Sequence, residues 1–336
     1  MVHLYAILSD IHANFEALEA VERDARAMAR QERIPPKNLR FISLGDVVDY
    51  GPRPNECMAW VEENVTLAIQ GNHDRNVAAP EYEAPDGSIN QDYWPITLWT
   101  RRTLKKQYKQ LLGVWKESAA SPSLPGLDRF ILFHGNLRFK DQHIKSSGDA
   151  RPNLEEIEER GFPWGMFGHT HYQGYFTLKA DIETVLARAE DEEFRIGESS
   201  RQKKKMKGCP VNRWADLPGE PFRTLLNPGS VGQPRRHPLL KRNGTKYPEA
   251  SYMLLKVNGR GYPKFQFRRV TYDVEETIRQ LEQLRWPPPP AQQKGHDIYK
   301  DEGMAEIDPR LEEALKNISQ TLPQVVKTLI DKLKTG

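Results

Sequence analysis

The feature that most restricts this chain's fold recurs along it: a short apolar run that ends on a cluster of polar residues. Val2 to Leu8 leads into Asp10-Ile11-His12, Phe41 to Leu44 into Gly45-Asp46-Val47-Val48-Asp49, and Leu67 to Ile69 into Gly71-Asn72-His73-Asp74. Phe130 to Phe133 leads into His134-Gly135, and Trp164 to Phe167 into Gly168-His169-Thr170-His171. Apolar runs of this length, bounded by such polar clusters, read as buried strands. From Asn14 onward Leu18, Val21, Ala25 and Met28 keep helical spacing, so the first unit reads as strand, loop and helix. In open α/β sheets ligands bind beyond the carboxyl ends of the strands, where loops are free to carry chemistry.

Further strands are expected at Gly174 to Leu178, Phe222 to Leu226, Tyr252 to Val257 and Phe265 to Val270, with a helix from Val274 to Leu284. Ile89 to Trp115 reads as one or two helices capping the site, with Trp94, Trp99 and Trp115 as their core residues. Lys179 to Pro221 reads as a charged insertion, acidic at Glu190 to Glu193 and basic at Lys203-Lys204-Lys205 and Lys207. Pro287 to Pro290 makes a rigid break. Beyond it Leu311, Leu315, Ile318, Leu322, Val325 and Leu329 form an apolar stripe on a helical extension, which Pro323 divides. The expected organisation is a catalytic domain over 1–285, with the insertion at about 179–221, followed by a linker and helical extension over 286–336.

Composition excludes several classes. The formal charge of +3 over 336 residues is not that of a polycation that coats nucleic acid or an anionic membrane. Cys57 and Cys209 lie far apart and outside any CxxC, which excludes a disulfide framework or zinc ribbon. With no basic leader and no long apolar span, the expectation is a cytoplasmic protein without a membrane partner.

Each polar cluster arises by chance when taken alone. Together they place carboxylates, an asparagine and imidazoles after successive strands, the mixed oxygen and nitrogen donor set of first-row divalent metals. A phosphate ester resists attack because its oxygens repel a nucleophile and its leaving oxygen departs poorly. Two adjacent cations answer both difficulties, and holding them close together needs a carboxylate that touches both.

In type and order these motifs resemble those of the calcineurin-like metallophosphoesterase superfamily. Ser9 to Asn14, Gly45 to Pro52, Asn227 to Arg235 and Arg268 to Asp273 are similar to a compact bacterial and archaeal phosphodiesterase branch. The resemblance implies a four-layer α/β/β/α sandwich of two mixed β-sheets flanked by helices. It implies two divalent metal ions, with Asp10, His12 and His171 holding one, Asn72, His134 and His169 the other, and Asp46 bridging. Manganese is the implied metal, with iron, zinc, nickel and cobalt as alternatives. His73 would face the substrate, and Asp74 would orient its ring. The implied reaction is hydrolysis of a phosphodiester or phosphomonoester, such as a small or cyclic nucleotide, by a metal-bound hydroxide.

Other residues carry two readings each. Asn14 is read as a helix cap or a substrate contact, Arg75 as a phosphate ligand or a surface arginine, and Asp49 as a support for a ligand or a turn cap. His3, His143, His237 and His296 are assigned structural or surface roles. The lysine run offers a nucleic-acid partner and hence a DNA or RNA nuclease as an alternative; a phosphoprotein phosphatase is another. A catalytically silent scaffold, docking or oligomerising through the C-terminal helix, is the alternative from a different class.

Overall fold

A computed structural model describes residues 1–79, 95–120, 123–194, 206–237, 240–242, 249–258 and 263–283. In chain order its strands and helices are β1 (Val2–Leu8), α1 (Phe15–Gln31), β2 (Leu39–Ser43), α2 (Pro54–Asn64), β3 (Val65–Ala68), α3 (Asn72–Ala78), α4 (Pro95–Thr103) and α5 (Lys106–Val114). Next come β4 (Ser118–Ala120), β5 (Phe130–Phe133), α6 (Ser147–Glu159), β6 (Trp164–Met166), β7 (Gly174–Leu178), β8 (Ile182–Arg188), β9 (Glu192–Phe194), β10 (Met206–Pro210) and β11 (Ala215–Asp216). The series closes with β12 (Arg223–Asn227), β13 (Leu240–Arg242), β14 (Glu249–Asn258), β15 (Lys264–Thr271) and α7 (Val274–Gln283).

Among the described residues, β9 and β13 pair by themselves, and the other strands form a six-stranded sheet in the order β11-β15-β14-β1-β2-β3 and a seven-stranded sheet in the order β10-β8-β7-β12-β6-β5-β4. Both are mixed: β1 runs parallel to β2 but antiparallel to β14, and β12 runs parallel to β6 but antiparallel to β7. The alternation of β1 shows how the layers arise. Leu4, Ala6 and Leu8 join a core with the α1 residues Leu18, Val21, Ala25 and Met28. Tyr5 and Ile7, on the opposite face, join a second core with Phe130, Leu132, Trp164 and Met166 of the other sheet. Ile131 and Phe133, from the far face of β5, pack against Leu154 and Ile157 of α6. Since successive strand side chains point to opposite faces, apolar runs without polar alternation force a covering layer on each side. The result is the expected helix, sheet, sheet, helix sandwich.

The charged insertion expected at 179–221 carries strands of its own: β8 and β10 within it pair in parallel and extend the seven-stranded sheet. Between these strands Glu192, fully buried, ties the segment to the body by pairing with Arg269 at 2.7 Å and Arg236 at 3.2 Å. Lys207 pairs with Glu183 at 2.8 Å, while Lys203 to Lys205, Trp94, the prolines from Pro287 and the C-terminal stripe lie outside the described residues. Among the described residues, no helix is long and apolar enough to cross a membrane.

Candidate metal centre

The loops after β1, β2 and β3 in one sheet and after β5 and β6 in the other meet at one end of the sandwich. They are tied together through their backbones. Asp10 N–H donates to Gly45 C=O at 2.9 Å, His12 N–H to Asp46 C=O at 3.0 Å, and Gly168 N–H to His134 C=O at 2.8 Å. The turn after β12 joins them, with Gly232 N–H on Asp10 C=O at 3.0 Å.

This packing puts several non-glycine residues in the left-handed region: Asp10 (φ 53°), His12 (47°), Asp46 (54°), Asp49 (75°), Tyr50 (63°), His169 (63°) and His171 (63°). Such conformations cost about 1–3 kcal/mol each and persist where the surroundings impose them, characteristically at functional sites. Gly71 is required by close approach instead. A Cβ there would collide with Asp46 Oδ1.

Two groups of donor atoms converge, Asp10 with His12 and His171, and Asp46 with His134 and His169, each within 4.8 Å of one another. Four histidines have one ring nitrogen against a backbone carbonyl: His12 Nδ1 on Val48 (3.4 Å), His171 Nδ1 on Gln233 (2.9 Å), His134 Nδ1 on Leu44 (2.7 Å) and His169 Nε2 on Asp141 (2.9 Å). A carbonyl only accepts, so that nitrogen carries the proton, and in the neutral ring the other presents a lone pair. His12 Nε2 and His171 Nε2 consequently face each other at 3.2 Å. His134 Nε2 faces Asn72 Oδ1 at 3.1 Å and Asp46 Oδ2 at 3.0 Å, both acceptors. Lone pairs and carboxylate oxygens aimed at shared points are a donor set suited to cations.

The electrostatics agree for His12 and His169 and differ at His134, where burial opposes charge yet Asp46 raises the ring to about 10, so a cation there would have to displace its second proton. Burial, helped by His171 and His73 and opposed by Asp46, holds His12 well below its ordinary value, and burial pushes His169 down to about 3, so both rings are neutral at physiological pH. Burial opposes ionisation of Asp46, but His134 and His73 outweigh it and keep the carboxyl well below the usual range. Burial also opposes charge on His73, yet Asp46 and Asp49 raise it to about 9, so it carries a proton at neutral pH. Bound cations would draw that value down.

The geometry corrects one expectation. Asp74 does not orient the His73 ring; its carboxylate accepts four backbone N–H groups, from Asp46 (2.8 Å), Val47 (2.9 Å), Val48 (3.2 Å) and Gly71 (3.1 Å). Asp49 holds the ring instead, with Oδ2 2.8 Å from His73 Nδ1. Asn14 caps α1, accepting from Ala17 N–H at 3.1 Å, and its amide donates to Gly232 C=O, so the cap reading describes it. Arg75 pairs with Asp141 at 2.7 Å on the wall of a cavity of about 280 Å³ that opens beside Asn72 and His134.

Two neighbours escaped the sequence reading. The Tyr50 ring lies 4.8 Å from that of His12 and 4.7 Å from that of His73, and His143 stacks on His169 at 4.2 Å. The only advance signal was that Tyr50 directly follows Asp49.

Residues 4–173 match the family described as calcineurin-like phosphoesterase. The chain belongs to that family. Calcineurin-like phosphoesterases are metal-dependent phosphate-ester hydrolases, consistent with the two donor groups of this chain. An uncharacterized protein of Methanocaldococcus jannaschii is 26% identical over 287 residues, covering 84% of this chain and 94% of the relative. A metallophosphoesterase structure from Sphaerobacter thermophilus matches with a TM-score of 0.60 at 24% identity, over 85% of this chain and 96% of that one. A hypothetical protein from Pyrococcus horikoshii matches with a TM-score of 0.53 at 15% identity, over 84% and 94% of the two chains. At these identities the two structures establish the sandwich and no more.

Proposed function

We propose that this calcineurin-like phosphoesterase hydrolyses a phosphodiester, a small or cyclic nucleotide being the preferred class, at a dinuclear centre. The observation that carries the reading is the focusing of imidazole lone pairs and the Asp10 and Asp46 carboxylates where the two sheets meet. In this reading Asp10, His12 and His171 would hold one ion and Asn72, His134 and His169 the other, with Asp46 shared between them. Two cations so held, manganese being the first to test, would neutralise charge on the phosphoryl group and acidify attacking water.

The chain's own side chains supply the rest. His73 Nδ1 is engaged by Asp49, and Nε2 is the nitrogen that would pass its proton to the departing oxygen. Asp74 keeps the loop after β2 in place through its four N–H contacts, and so keeps Asp46 in place. The cavity beside Asn72, walled by Arg75 and Lys140 with their partners Asp141 and Glu117, gives room for the ester's remaining arm.

The test is turnover of paired aryl phosphodiesters and phosphomonoesters by manganese-loaded protein, with Asp46→Asn and His73→Ala beside the wild type. Diester hydrolysis that collapses in Asp46→Asn supports the reading. Absence of turnover on every ester, with two ions bound, sinks it.

A further inference from the structure

Helix α4 reaches the site through two buried hydroxyls. Thr97 and Thr100 stand one turn apart on one face of the helix, 4% and 0% exposed. Thr97 Oγ1 donates to Asp49 Oδ2 at 2.7 Å, and Thr100 Oγ1 donates to Asp49 Oδ1 at 3.2 Å. The same Oδ2 accepts from His73 Nδ1 at 2.8 Å, and Oδ1 accepts from Tyr50 N–H at 3.2 Å. A carboxylate offers about four lone-pair sites, and these donors fill them.

The arrangement has two physical consequences. Asp49 (φ 75°) and Tyr50 (φ 63°) are consecutive left-handed residues, so backbone preference does not hold the Asp49 carboxylate in place. Its donors must do so. The two threonines share α4 with the buried Ile96, and a hydroxyl in such surroundings is unfavourable unless bonded. Aliphatic residues would fill the same volume without that requirement, so the hydroxyls are tied to Asp49 as much as Asp49 is to them.

We propose that Thr97 and Thr100 are positioning residues for His73: α4 fixes the Asp49 carboxylate, and that carboxylate fixes the tautomer and direction of the imidazole. The proposal rests on the reading that His73 serves the leaving group. As the bond from phosphorus to the leaving oxygen breaks, that oxygen keeps the electron pair and takes the Nε2 proton, and solvent returns a proton to the ring. Neither threonine touches a residue of the two donor groups in any of these bonds, so the effect passes through Asp49 alone.

The test compares Thr97→Val with Thr100→Val, combined in one protein, against the hydroxyl-retaining pair Thr97→Ser with Thr100→Ser. Metal content, kcat and KM are measured on diesters with a phenyl and with a 4-nitrophenyl leaving group. General acid catalysis contributes about 10²–10⁴-fold and matters most for the poorer leaving group, so the valine pair is expected to lose about tenfold or more in kcat on the phenyl ester. On the 4-nitrophenyl ester the loss stays below about threefold, with KM and metal content unchanged and serine restoring the rate. Equal losses on both esters, or none, overturn the proposal. His73→Ala measured alongside separates the two ideas. If it is selective against the phenyl ester and the valine pair is not, only the proposal falls; if it is neutral on both esters, the leaving-group reading falls and takes the proposal with it. Should the valine pair not fold, Thr100→Val alone is expected to show the same selectivity at smaller size, and its absence overturns the proposal equally.

Discussion

The Nε2 atoms of His12 and His171 face each other at 3.2 Å, each ring anchored through its other nitrogen to a backbone carbonyl. Opposed lone pairs between buried residues are unfavourable without a cation between them. Divalent metal is therefore expected to stabilise the fold, by about 2.7 kcal/mol when free metal is a hundredfold above its dissociation constant. Thermal melts with manganese and with chelator check this, the midpoint falling on chelation. Metal analysis should give two ions per chain in the wild type and one in His171→Ala.

Asp74 and Asp49 should separate under substitution. An asparagine at 74 offers one acceptor oxygen where four N–H groups now meet a carboxylate, and its amide would point N–H at N–H. Leaving buried donors unsatisfied costs about 1–3 kcal/mol each, so Asp74→Asn is expected to lower the melting temperature and the metal content together. Asp49→Asn should instead keep both ions and lower kcat by about 10–10²-fold, a share of what general acid catalysis supplies. Metal analysis and kinetics on the two purified variants decide it. Intact metal binding in Asp74→Asn would refute the role given to its carboxylate.

Gly71→Ala tests the close approach at the Asp46 carboxylate, which the proposed centre shares between its ions. The added methyl would meet Asp46 Oδ1, which already accepts from His73 N–H at 2.9 Å. Overpacking of this kind costs about 1–3 kcal/mol, and here the displaced atom belongs to the carboxylate that the proposed centre uses. Isothermal titration with manganese should show weakened binding, and kcat/KM should fall more than stability does.

The acid limb of stability should depend on Glu192. Burial opposes its ionisation, but Arg269 and the Ala189 N–H outweigh burial and hold the carboxyl below its ordinary value of 4.5. A carboxyl depressed in the folded state stabilises the protein above its unfolded pKa, and that contribution disappears as pH falls through the folded value. The loss therefore begins near pH 4.5 and continues below it. Glu192→Gln, which leaves Arg269 and Arg236 without their carboxylate, should cost about 3–5 kcal/mol at neutral pH, as removal of one partner from a buried pair does. Urea unfolding from pH 7 downward should show the two proteins converging in acid. Parallel curves would exclude Glu192 as the titrating group.

The strands that lead into the polar clusters, the first helix and its Asn14 cap, and the gathering of Asp10, His12, Asp46, Asn72, His134, His169 and His171 were legible in the sequence. They depend on local signals: apolar runs, helical spacing, and polar clusters that fall where strands end. Tertiary structure alone decided which carboxylate serves His73. Asp74 is its neighbour in the chain, yet helical geometry in α3 turns that side chain toward the loop after β2, while Asp49 arrives from 24 residues away. The left-handed backbone at five of the expected metal-binding residues was also invisible, because aspartate and histidine carry no mark of a conformation that only loop-to-loop hydrogen bonds impose. The pairing of β8 and β10 was hidden for a similar reason: charged outer residues masked a strand whose partner is distant. Sequence determines what each segment prefers; packing of segments remote in the chain determines which side chains meet, and for this protein that meeting sets the direction of the His73 ring.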